Sequence, residues 1–336
     1  MDDVYLIGVS CTPFGKQAHR SFKDLTRQAY LDVLADAGLS SGDRIEQAWF
    51  GNCGMGTFGQ RNIRGQVCFT PLVREGLFPE RIPMINVEGG CATASMALHG
   101  AYKDILSGQA DLSLAIGVEK TFFPEEPGKT QEIFEGGIDQ LDPQEWMAYY
   151  QEAGEKSGKP FVLNAAGGTL FMDTYAMQAM YHMKTFGTTR EQIAFAASKN
   201  HAMGALNPKA QYRFEVSVDE VLADREVSFP LTRSMCAPMG DGAAAAILAI
   251  GSSGKGAGCN RAITCAGNSS PRAAIIACAS SSVTESGTVG PDATCAGLSP
   301  GTSETIRLTT RAGCAAANRA TQVGQRLCVA LAFRGQ

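Results

Sequence analysis

The residue of this sequence whose position best suits chemistry is Cys91. Met84–Val87 predicts a short apolar strand, two glycines predict a turn, and the segment that begins at Cys91 predicts a helix. Unpaired N–H groups at a helix N-terminus stabilise a thiolate and can bind a developing oxyanion. The alternative is a buried cysteine that acts as a small core hydrophobe. The strand-turn-helix setting favours the nucleophile.

The helix predicted after Cys91 is apolar on nearly every side. Its first ten residues include Ala92, Ala94, Ala97, Leu98 and Ala101. A helix that is apolar all round is normally buried between layers. We therefore expect Cys91 to lie deep in the molecule, where a substrate needs a long, narrow arm that ends in the reactive group.

Length and composition exclude several classes of protein. A chain of 336 residues with 44% hydrophobic residues and a net charge of −4 predicts two domains and an ordinary soluble protein. No basic patch indicates a nucleic-acid partner, and neither a membrane span nor a secretory leader is recognisable. The five cysteines before residue 251 show no C-x-x-C pair, which favours reduced thiols in a cytoplasmic protein without a metal site.

The first 120 residues alternate between strand and helix patterns, as in a layered α/β domain. A glycine-rich segment at 51–59 lacks both the G-x-G-x-x-G spacing and a Walker lysine, so we interpret it as a mobile connection and not a phosphate site. The remaining predicted elements are strands at 4–9, 45–50, 112–118 and 242–250 and helices at 24–37, 64–75, 169–186 and 190–204.

Composition changes abruptly after residue 250. Phe333 is the only aromatic residue there, and the segment is rich in Ala, Gly, Ser and Thr. Such a segment has little bulky apolar surface to offset its ordering entropy, so we expect an irregular or disordered tail. Its six cysteines never fall at the spacing of zinc-ligand pairs. Translation out of frame is a further hypothesis, which the other two reading frames of the coding DNA would test.

Several segments resemble the thiolase family, and most closely its sterol-carrier-protein type. Asn86 and Cys91-Ala-Thr-Ala94 match the family's N-x-x-x-x-C-A-[TS]-[GA] motif around a cysteine that attacks acyl-coenzyme A thioesters. The likeness continues in family order over about 250 residues, through segments 4–14, 115–120, 198–202, 207–211 and 239–248.

The resemblance implies a fold and a set of partners. It predicts a thiolase-like layered αβα half made of residues 1–120 and 229–250, a loop domain at 121–228, and a tail at 251–336 in place of the family's C-terminal domain. It implies acyl-CoA and CoA as substrates, with CoA as co-substrate and no permanently bound cofactor. It also implies a homodimer through the N-terminal half, and some relatives pair with an OB-fold protein.

The catalytic partners that the family supplies from its C-terminal half are not recognisable. By resemblance these are a histidine in Gly-His-Pro, a histidine in N-E-A-F or H-D-C-F, and a cysteine before x-Gly. The chain has no histidine after His201, and Cys295 and Cys314 lack the flanking pattern. Because the reaction needs a base for the cysteine and an acid/base at the α-carbon, we expect acyl transfer to be impaired.

Further site residues are carried over from the resemblance. Met172 occupies the place of a His-Met-Gly segment beside the pantetheine arm, although a core role is the alternative. Ala237 and Pro238 lie in a segment that resembles the wall of the pantetheine tunnel. We expect a structural role for His201 and a turn-forming role for Asp241.

The other histidines have no sequence argument for catalysis. His99 follows Cys91 by eight residues, roughly 12 Å along a helix, and so cannot act as its base. We expect His99 to be a helix-packing residue or to face a partner protein. We expect His19 and His182 to occupy ordinary surface positions.

The leading hypothesis is a thiolase-like acyl-CoA acyltransferase that forms an acyl-cysteine, by 3-ketoacyl-CoA thiolysis or acetyl-CoA condensation. A second is a non-catalytic CoA-binding or assembly protein, or an aldolase-type partner of an OB-fold protein. A third is a damaged form of a longer enzyme without a function of its own.

Overall fold

The computed structural model describes residues 3–161 and 170–251, together with the two-residue strand Arg307–Leu308. The strands are β1 (Val4–Cys11), β2 (Gln47–Gly51), β3 (Met84–Val87), β4 (Leu112–Glu119), β5 (Glu226–Ser228), β6 (Leu231–Thr232), β7 (Gly242–Ile250) and β8 (Arg307–Leu308). The α-helices are α1 (Phe22–Asp36), α2 (Arg64–Arg74), α3 (Thr93–Leu106), α4 (Pro127–Glu135), α5 (Pro143–Ser157), α6 (Leu170–Phe186), α7 (Arg190–Leu206) and α8 (Val218–Ala223).

A six-stranded mixed sheet organises the first part of the chain, in the order β3-β2-β4-β7-β1-β8. β2 is parallel to both β3 and β4, whereas β7 is antiparallel to β4 and to β1. The short strand β8 pairs antiparallel with the start of β1. The carboxyl ends of β2, β3 and β4 therefore meet at one edge of the sheet, and the chain enters the turn of Cys91 from β3.

One face of the sheet is covered by α1 and α2. Bulky residues fill this layer, among them Tyr30 from α1, Phe50 from β2 and Phe69 from α2, all fully buried. The ring of Tyr30 meets that of Phe69 edge-on at a centroid distance of 5.4 Å. Close packing of large apolar groups makes this layer the main hydrophobic core of the described residues.

The other face of the sheet carries α3, and small side chains let the helix approach closely. Gly100 lies against Trp49 of β2, where an added Cβ would come within 2.3 Å of the indole. Asp104, which is 3% exposed, accepts hydrogen bonds from Trp49 Nε1 at 2.6 Å, Gln47 Nε2 at 2.8 Å and Ser113 Oγ at 2.9 Å. These contacts hold the helix that follows Cys91 firmly on β2 and β4.

Residues between β4 and β7 form a helical region with a small hydrophobic core of its own. Ala176 of α6, Ala194 of α7 and Val221 of α8 are buried there together with Leu231 and Met235. The predicted helices near 169–186 and 190–204 are confirmed as α6 and α7. Helices α4, α5 and α8 were not predicted.

The predicted α/β fold and its strands are confirmed, with β3 and β7 at their predicted bounds. The glycine-rich segment differs from the expected mobile connection, because Gly54–Phe58 forms a 3-10 turn tied to the sheet by hydrogen bonds. The predicted tail lies outside the described residues apart from β8. The proposed division at residues 120, 228 and 250 stays a prediction.

The prediction that α3 is buried on all sides is wrong for the described part of the chain. Met96 and Leu98 are 44% and 43% exposed, and Cys91 itself is exposed. The physical reason is that the sheet covers one side of α3 only. Among the described residues, no helix is both long enough and apolar enough to cross a membrane.

Candidate active site

Cys91 lies in the 3-10 turn Gly90–Ala92, immediately before α3. Gly90 has φ +58°, a left-handed conformation that glycine adopts without strain. Ala92 occupies the N-cap of α3 and offers no side-chain acceptor to the first helical N–H groups. The positive end of the helix is therefore not neutralised by a cap beside the exposed thiol.

Thr93 and Glu88 hold the turn around Cys91. The Thr93 hydroxyl accepts a hydrogen bond from the Gly89 N–H at 3.0 Å and donates to the Gly90 carbonyl at 2.7 Å. The Glu88 carboxylate accepts from the Gly90 N–H at 2.6 Å. Backbone groups that precede the nucleophile are thus satisfied by side chains, which fixes the direction in which Cys91 leaves the turn.

A second cysteine packs against the same turn. The Sγ of Cys53 lies 3.0 Å from Thr93 Oγ1 and 3.2 Å from the Gly90 carbonyl oxygen. Burial, with a smaller contribution from nearby Glu119 and Glu88, raises the pKa of the Cys53 thiol to about 11. Cys53 is therefore a neutral thiol at physiological pH and supports the turn as a weak hydrogen-bonding group.

Glu119, at the end of β4, anchors the loop that carries Cys53. Its carboxylate accepts hydrogen bonds from the N–H of Cys53 at 2.8 Å, the N–H of Gly54 at 3.1 Å and the amide of Asn52 at 3.1 Å. Burial raises the pKa of the Glu119 carboxyl, and the N–H donors oppose that rise. A Cβ at Gly54 would come within 2.6 Å of this carboxylate, so the close approach requires glycine.

Tyr175 of α6 brings the helical region to the nucleophile. Its hydroxyl lies 3.9 Å from the Sγ of Cys91, in hydrogen-bonding geometry for a sulfur acceptor. Tyr175 also lines a cavity of about 330 Å³ between α6 and α7. The same side chain therefore stands between the thiol and an internal space large enough for part of a ligand.

The cavity is a groove whose walls are two helical faces. α6 contributes residues at the spacing of one helical face, from Tyr175 to His182, and α7 contributes a second face from Gln192 to Gly204. The α7 wall is about 18 Å long at about 1.5 Å of rise per residue. Most of the lining is apolar, and none of it is lysine or arginine. The groove is suited to a long and largely neutral chain.

Two of the residues carried over from the resemblance lie at this groove. Ala237 and Pro238 form part of its lining, in the segment that leads back to β7. Met172 lies one turn before Tyr175 on α6 and does not belong to the lining residues. The structure therefore places Ala237 and Pro238 together with Tyr175, and Met172 beside them but outside the cavity wall.

The histidines divide into two pairs. His19 and His99 are exposed. A surface position was expected for His19, whereas the expected packing or partner-facing role of His99 stays a prediction. His182 is half-buried, lines the groove and lies 2.8 Å from Thr188 Oγ1. His201 is 8% exposed, hydrogen-bonds the Ser234 carbonyl at 3.1 Å and also lines the groove.

Asp241 has a structural role, which differs from the expected turn because its carboxylate binds segments distant in the sequence. The carboxylate is fully buried, lies 3.3 Å from Lys120 Nζ, and accepts hydrogen bonds from the N–H groups of Gln17, Thr121 and Phe122. The residue joins the start of the helical region to the start of β7. It stabilises the frame of the site and takes no part in the groove.

Sequence reasoning missed the supporting residues Thr93, Glu119 and Tyr175. Thr93 carried a signal, because it follows Cys91 at a helix start where hydroxyl side chains commonly bind backbone groups. Ala176 and Ala179 on α6, and the small residues three and four positions apart on α7, could have indicated two facing helices. Nothing local to Tyr175 indicated its contact with a residue 84 positions earlier.

Comparison with known proteins identifies relatives of this chain. The model of the thiolase N-terminal domain matches residues 4–226. An acetyl-CoA acetyltransferase of Methanothermobacter thermautotrophicus is 34% identical over 249 residues, which are 74% of this chain and 57% of that protein. Sterol carrier protein 2 of Gallus gallus is 33% identical over 249 residues, covering 73% of this chain and 41% of that protein.

A more distant relative and a solved structure extend the comparison. The benzoylsuccinyl-CoA thiolase subunit BbsB of Thauera aromatica is 29% identical over 265 residues, 79% of this chain and 60% of the relative. The solved structure of the Ltp2-ChsH2(DUF35) aldolase shares the fold with a TM-score of 0.53 at 21% identity, over 74% of this chain and 56% of that one. The chain spans less than two thirds of the length of each of these proteins. On the match over residues 4–226, it belongs to the thiolase family.

Proposed function

We propose that the protein is a thiolase-type acyl-CoA acyltransferase unit in which Cys91 accepts the acyl group. The observation that carries the proposal is the exposed thiol at the uncapped start of α3, which Tyr175 joins to the groove between α6 and α7. Acyl transfer needs a nucleophile, a positive end of a dipole for the oxyanion and a channel for the carrier arm. These three parts converge at Cys91.

In the proposed first half-reaction, the thiolate of Cys91 attacks the thioester carbonyl carbon of an acyl-CoA. A new carbon–sulfur bond forms and the bond to the CoA sulfur breaks, so the acyl group moves to the cysteine. The CoA thiolate leaves and takes up the proton that Cys91 gave to a base or to water. In condensation, the α-carbon of acetyl-CoA gives up one proton and forms a carbon–carbon bond with the acyl group, whose bond to Cys91 breaks, and the Cys91 sulfur recovers a proton. Thiolysis is the reverse sequence: the thiolate attacks the 3-keto carbon of a 3-ketoacyl-CoA, the carbon–carbon bond breaks to release acetyl-CoA after protonation of its α-carbon, and free CoA then takes the acyl group from Cys91.

The groove supports CoA as the carrier, with its pantetheine arm between α6 and α7. The arm is a narrow chain with two neutral amides, and the groove is long, mostly apolar and free of lysine and arginine along its lining. Ala237 and Pro238 contribute to the wall that such an arm would follow. Met172 stays a prediction of the resemblance at this site. No permanently bound cofactor enters the proposed chemistry.

We propose slow turnover for this chain, because no histidine in a position to act as base for Cys91 is found among residues 3–161 and 170–251. His99 is roughly 12 Å away along α3, His19 is exposed, and His182 and His201 lie in the groove walls. The sequence contains no histidine after His201. A base worth a factor of about 10²–10⁴ in rate would then be missing.

The test is incubation of the full chain with acetyl-CoA and with acetoacetyl-CoA, followed by intact-mass and peptide mass spectrometry. We expect a slowly formed acyl adduct on Cys91 and none in the Cys91→Ala variant. Efficient turnover would contradict the proposed impairment. The absence of any adduct on Cys91 after prolonged incubation would contradict the proposed acyl acceptor.

A non-catalytic CoA-binding or assembly protein is the second candidate, favoured by the exposed apolar side of α3. Calorimetric binding of CoA without an adduct on Cys91 would support it over the enzyme. An aldolase-type role beside an OB-fold protein is a variant of this candidate. A homodimer through the N-terminal half and a cytoplasmic location stay predictions from the sequence.

A further inference from the structure

Tyr175 lies between the nucleophile and the groove, on a helix far along the chain. Its hydroxyl is 3.9 Å from Cys91 Sγ, and its half-buried ring forms part of the groove wall. α6 is held in place by the buried Ala176, the next residue, which packs into the core shared with α7 and α8. The position of the phenol relative to the sulfur is therefore set by tertiary packing and not by a flexible loop.

A tyrosine hydroxyl can donate one hydrogen bond, and a thiolate can only accept. The direction of the bond follows when Cys91 is ionised: the phenol donates and the sulfur accepts. A separation of 3.9 Å is at the long end for O–H···S, and hydrogen bonds in active sites without substrate are often long and shorten in the reacting complex. Donation to the charged form of a group favours that form.

We propose that Tyr175 is a catalytic residue of the proposed acyl transfer and donates a hydrogen bond to the sulfur of Cys91. The proton stays on the phenol throughout, so no base or co-reactant is needed for this role. The bond stabilises the thiolate before it attacks the thioester. It does so again when the thiolate departs from the acyl group in the second half-reaction. The inference rests on the proposed function of Cys91 as nucleophile.

The location also gives Tyr175 a second task in the same step. A carrier arm in the groove that delivers a thioester to Cys91 passes the Tyr175 side chain, because that side chain lines the groove and its hydroxyl lies 3.9 Å from the sulfur. A planar ring against a narrow chain restricts the angle at which the carbonyl meets the thiolate. Removal of the hydroxyl alone should leave this packing unchanged.

The test compares Tyr175→Phe with the wild type by the pH profile of Cys91 alkylation with iodoacetamide, measured on the Cys91 peptide by mass spectrometry. A net hydrogen bond of ordinary strength predicts an upward shift of the midpoint by roughly half to one pH unit. The rate at pH 7 should fall roughly three- to tenfold. Tyr181→Phe, on an exposed position of the same helix, is the matched control and should leave the profile unchanged.

A control for folding and a second variant complete the test. The slow alkylation of half-buried Cys53 in the same sample reports that the fold is intact. Tyr175→His keeps a ring donor, so a profile closer to wild type than that of Tyr175→Phe supports the bond. A Tyr175→Phe profile equal to wild type overturns the proposal, as does a Tyr175→His profile shifted as far as Tyr175→Phe.

The readout separates this proposal from the function on which it rests. Alkylation requires no acyl-CoA. A shifted profile for Tyr175→Phe together with no acyl adduct on Cys91 would therefore contradict acyl transfer and still support the hydrogen bond. An acyl adduct on Cys91 with an unshifted Tyr175→Phe profile would contradict the role of Tyr175 alone.

Discussion

The two faces of the central sheet are packed in opposite ways. Against α1 and α2 the sheet buries large rings, and Tyr30, Phe50 and Phe69 are fully covered. Against α3 the fully buried side chains are smaller, among them Ala97, Ala101 and Ala115, and the outer side of that helix exposes Met96 and Leu98. One face is a complete hydrophobic core. The other supports α3 on one side, and among the described residues the opposite side of that helix is exposed.

This difference separates stability from chemistry. Large buried side chains contribute most of the hydrophobic free energy, whereas small ones bring backbones close and fix geometry. The face with the rings therefore holds the fold together. The face with the small residues positions α3, and with it Cys91, at the surface where the groove from α6 and α7 arrives.

The largest effect is expected in the face with the rings. Phe69→Ala removes a ring in contact with Tyr30 and Phe78 and should lower the free energy of unfolding by about 3–5 kcal/mol. Leu98→Ala on the open side of α3 should change it by less than about 0.5 kcal/mol. Urea denaturation of both variants measures the contrast, and similar losses would show that Leu98 is covered.

The next largest effect is expected where α3 is tied to the sheet. Asp104→Ala removes the carboxylate that accepts from the partly buried Gln47 and Trp49 and from the buried Ser113, and it should cost about 2–3 kcal/mol. Its exposed neighbour Lys103→Ala should be nearly neutral. Urea denaturation measures both variants, and a loss for Asp104→Ala as small as that for Lys103→Ala would show that these hydrogen bonds do not anchor α3.

A smaller loss should follow from closing the gap between α3 and β2. Gly100→Ala places a methyl group within 2.3 Å of the Trp49 ring and should cost about 1–3 kcal/mol through overpacking. Gly128→Ala, in α4 with nothing within 4 Å of the new Cβ, should be neutral or stabilising by up to about 1 kcal/mol. Thermal unfolding of the pair checks the sign of each change, and a stabilising Gly100→Ala would contradict the close packing.

The smallest effect concerns reactivity and leaves stability unchanged. Cys53, with a pKa of about 11, should react with iodoacetamide at pH 8 roughly tenfold or more slowly than a cysteine in a short peptide, since little thiolate is present. Its rate should rise with pH until about pH 11. Peptide mass spectrometry of the Cys91→Ala variant isolates this signal. Fast alkylation of Cys53 at pH 8 would show that its burial is incomplete.

Most of the sheet was predictable because its signals are local. β3 and β7 coincide with apolar runs that end at glycine or polar residues, and α1 ends where Gly38 adopts a left-handed φ of +67°. Helices α4, α5 and α8 escaped prediction. Each lies in a polar region where the apolar periodicity is weak, and α4 and α5 begin at a proline, a residue that also marks loops.

Of the residues at the candidate site, the sequence predicted Cys91 but not its contacts with other parts of the chain. Cys91 follows from a strand, a turn and a helix within about ten consecutive residues. Its contact with Tyr175 and the support of the Cys53 loop by Glu119 join residues more than 60 positions apart. Such contacts depend on how helices and strands pack, and the spacing of residues along the sequence does not predict them.

The sequence by itself determined the family, the α/β elements and the cysteine at the helix start, because motifs and short-range periodicity are written in neighbouring residues. Tertiary structure alone decided that Cys91 is exposed, that α3 is covered on one side, and that Tyr175 stands between the thiol and the groove. Burial and distance are properties of packed elements, and they arise only when β2, β4 and α6 come together around α3.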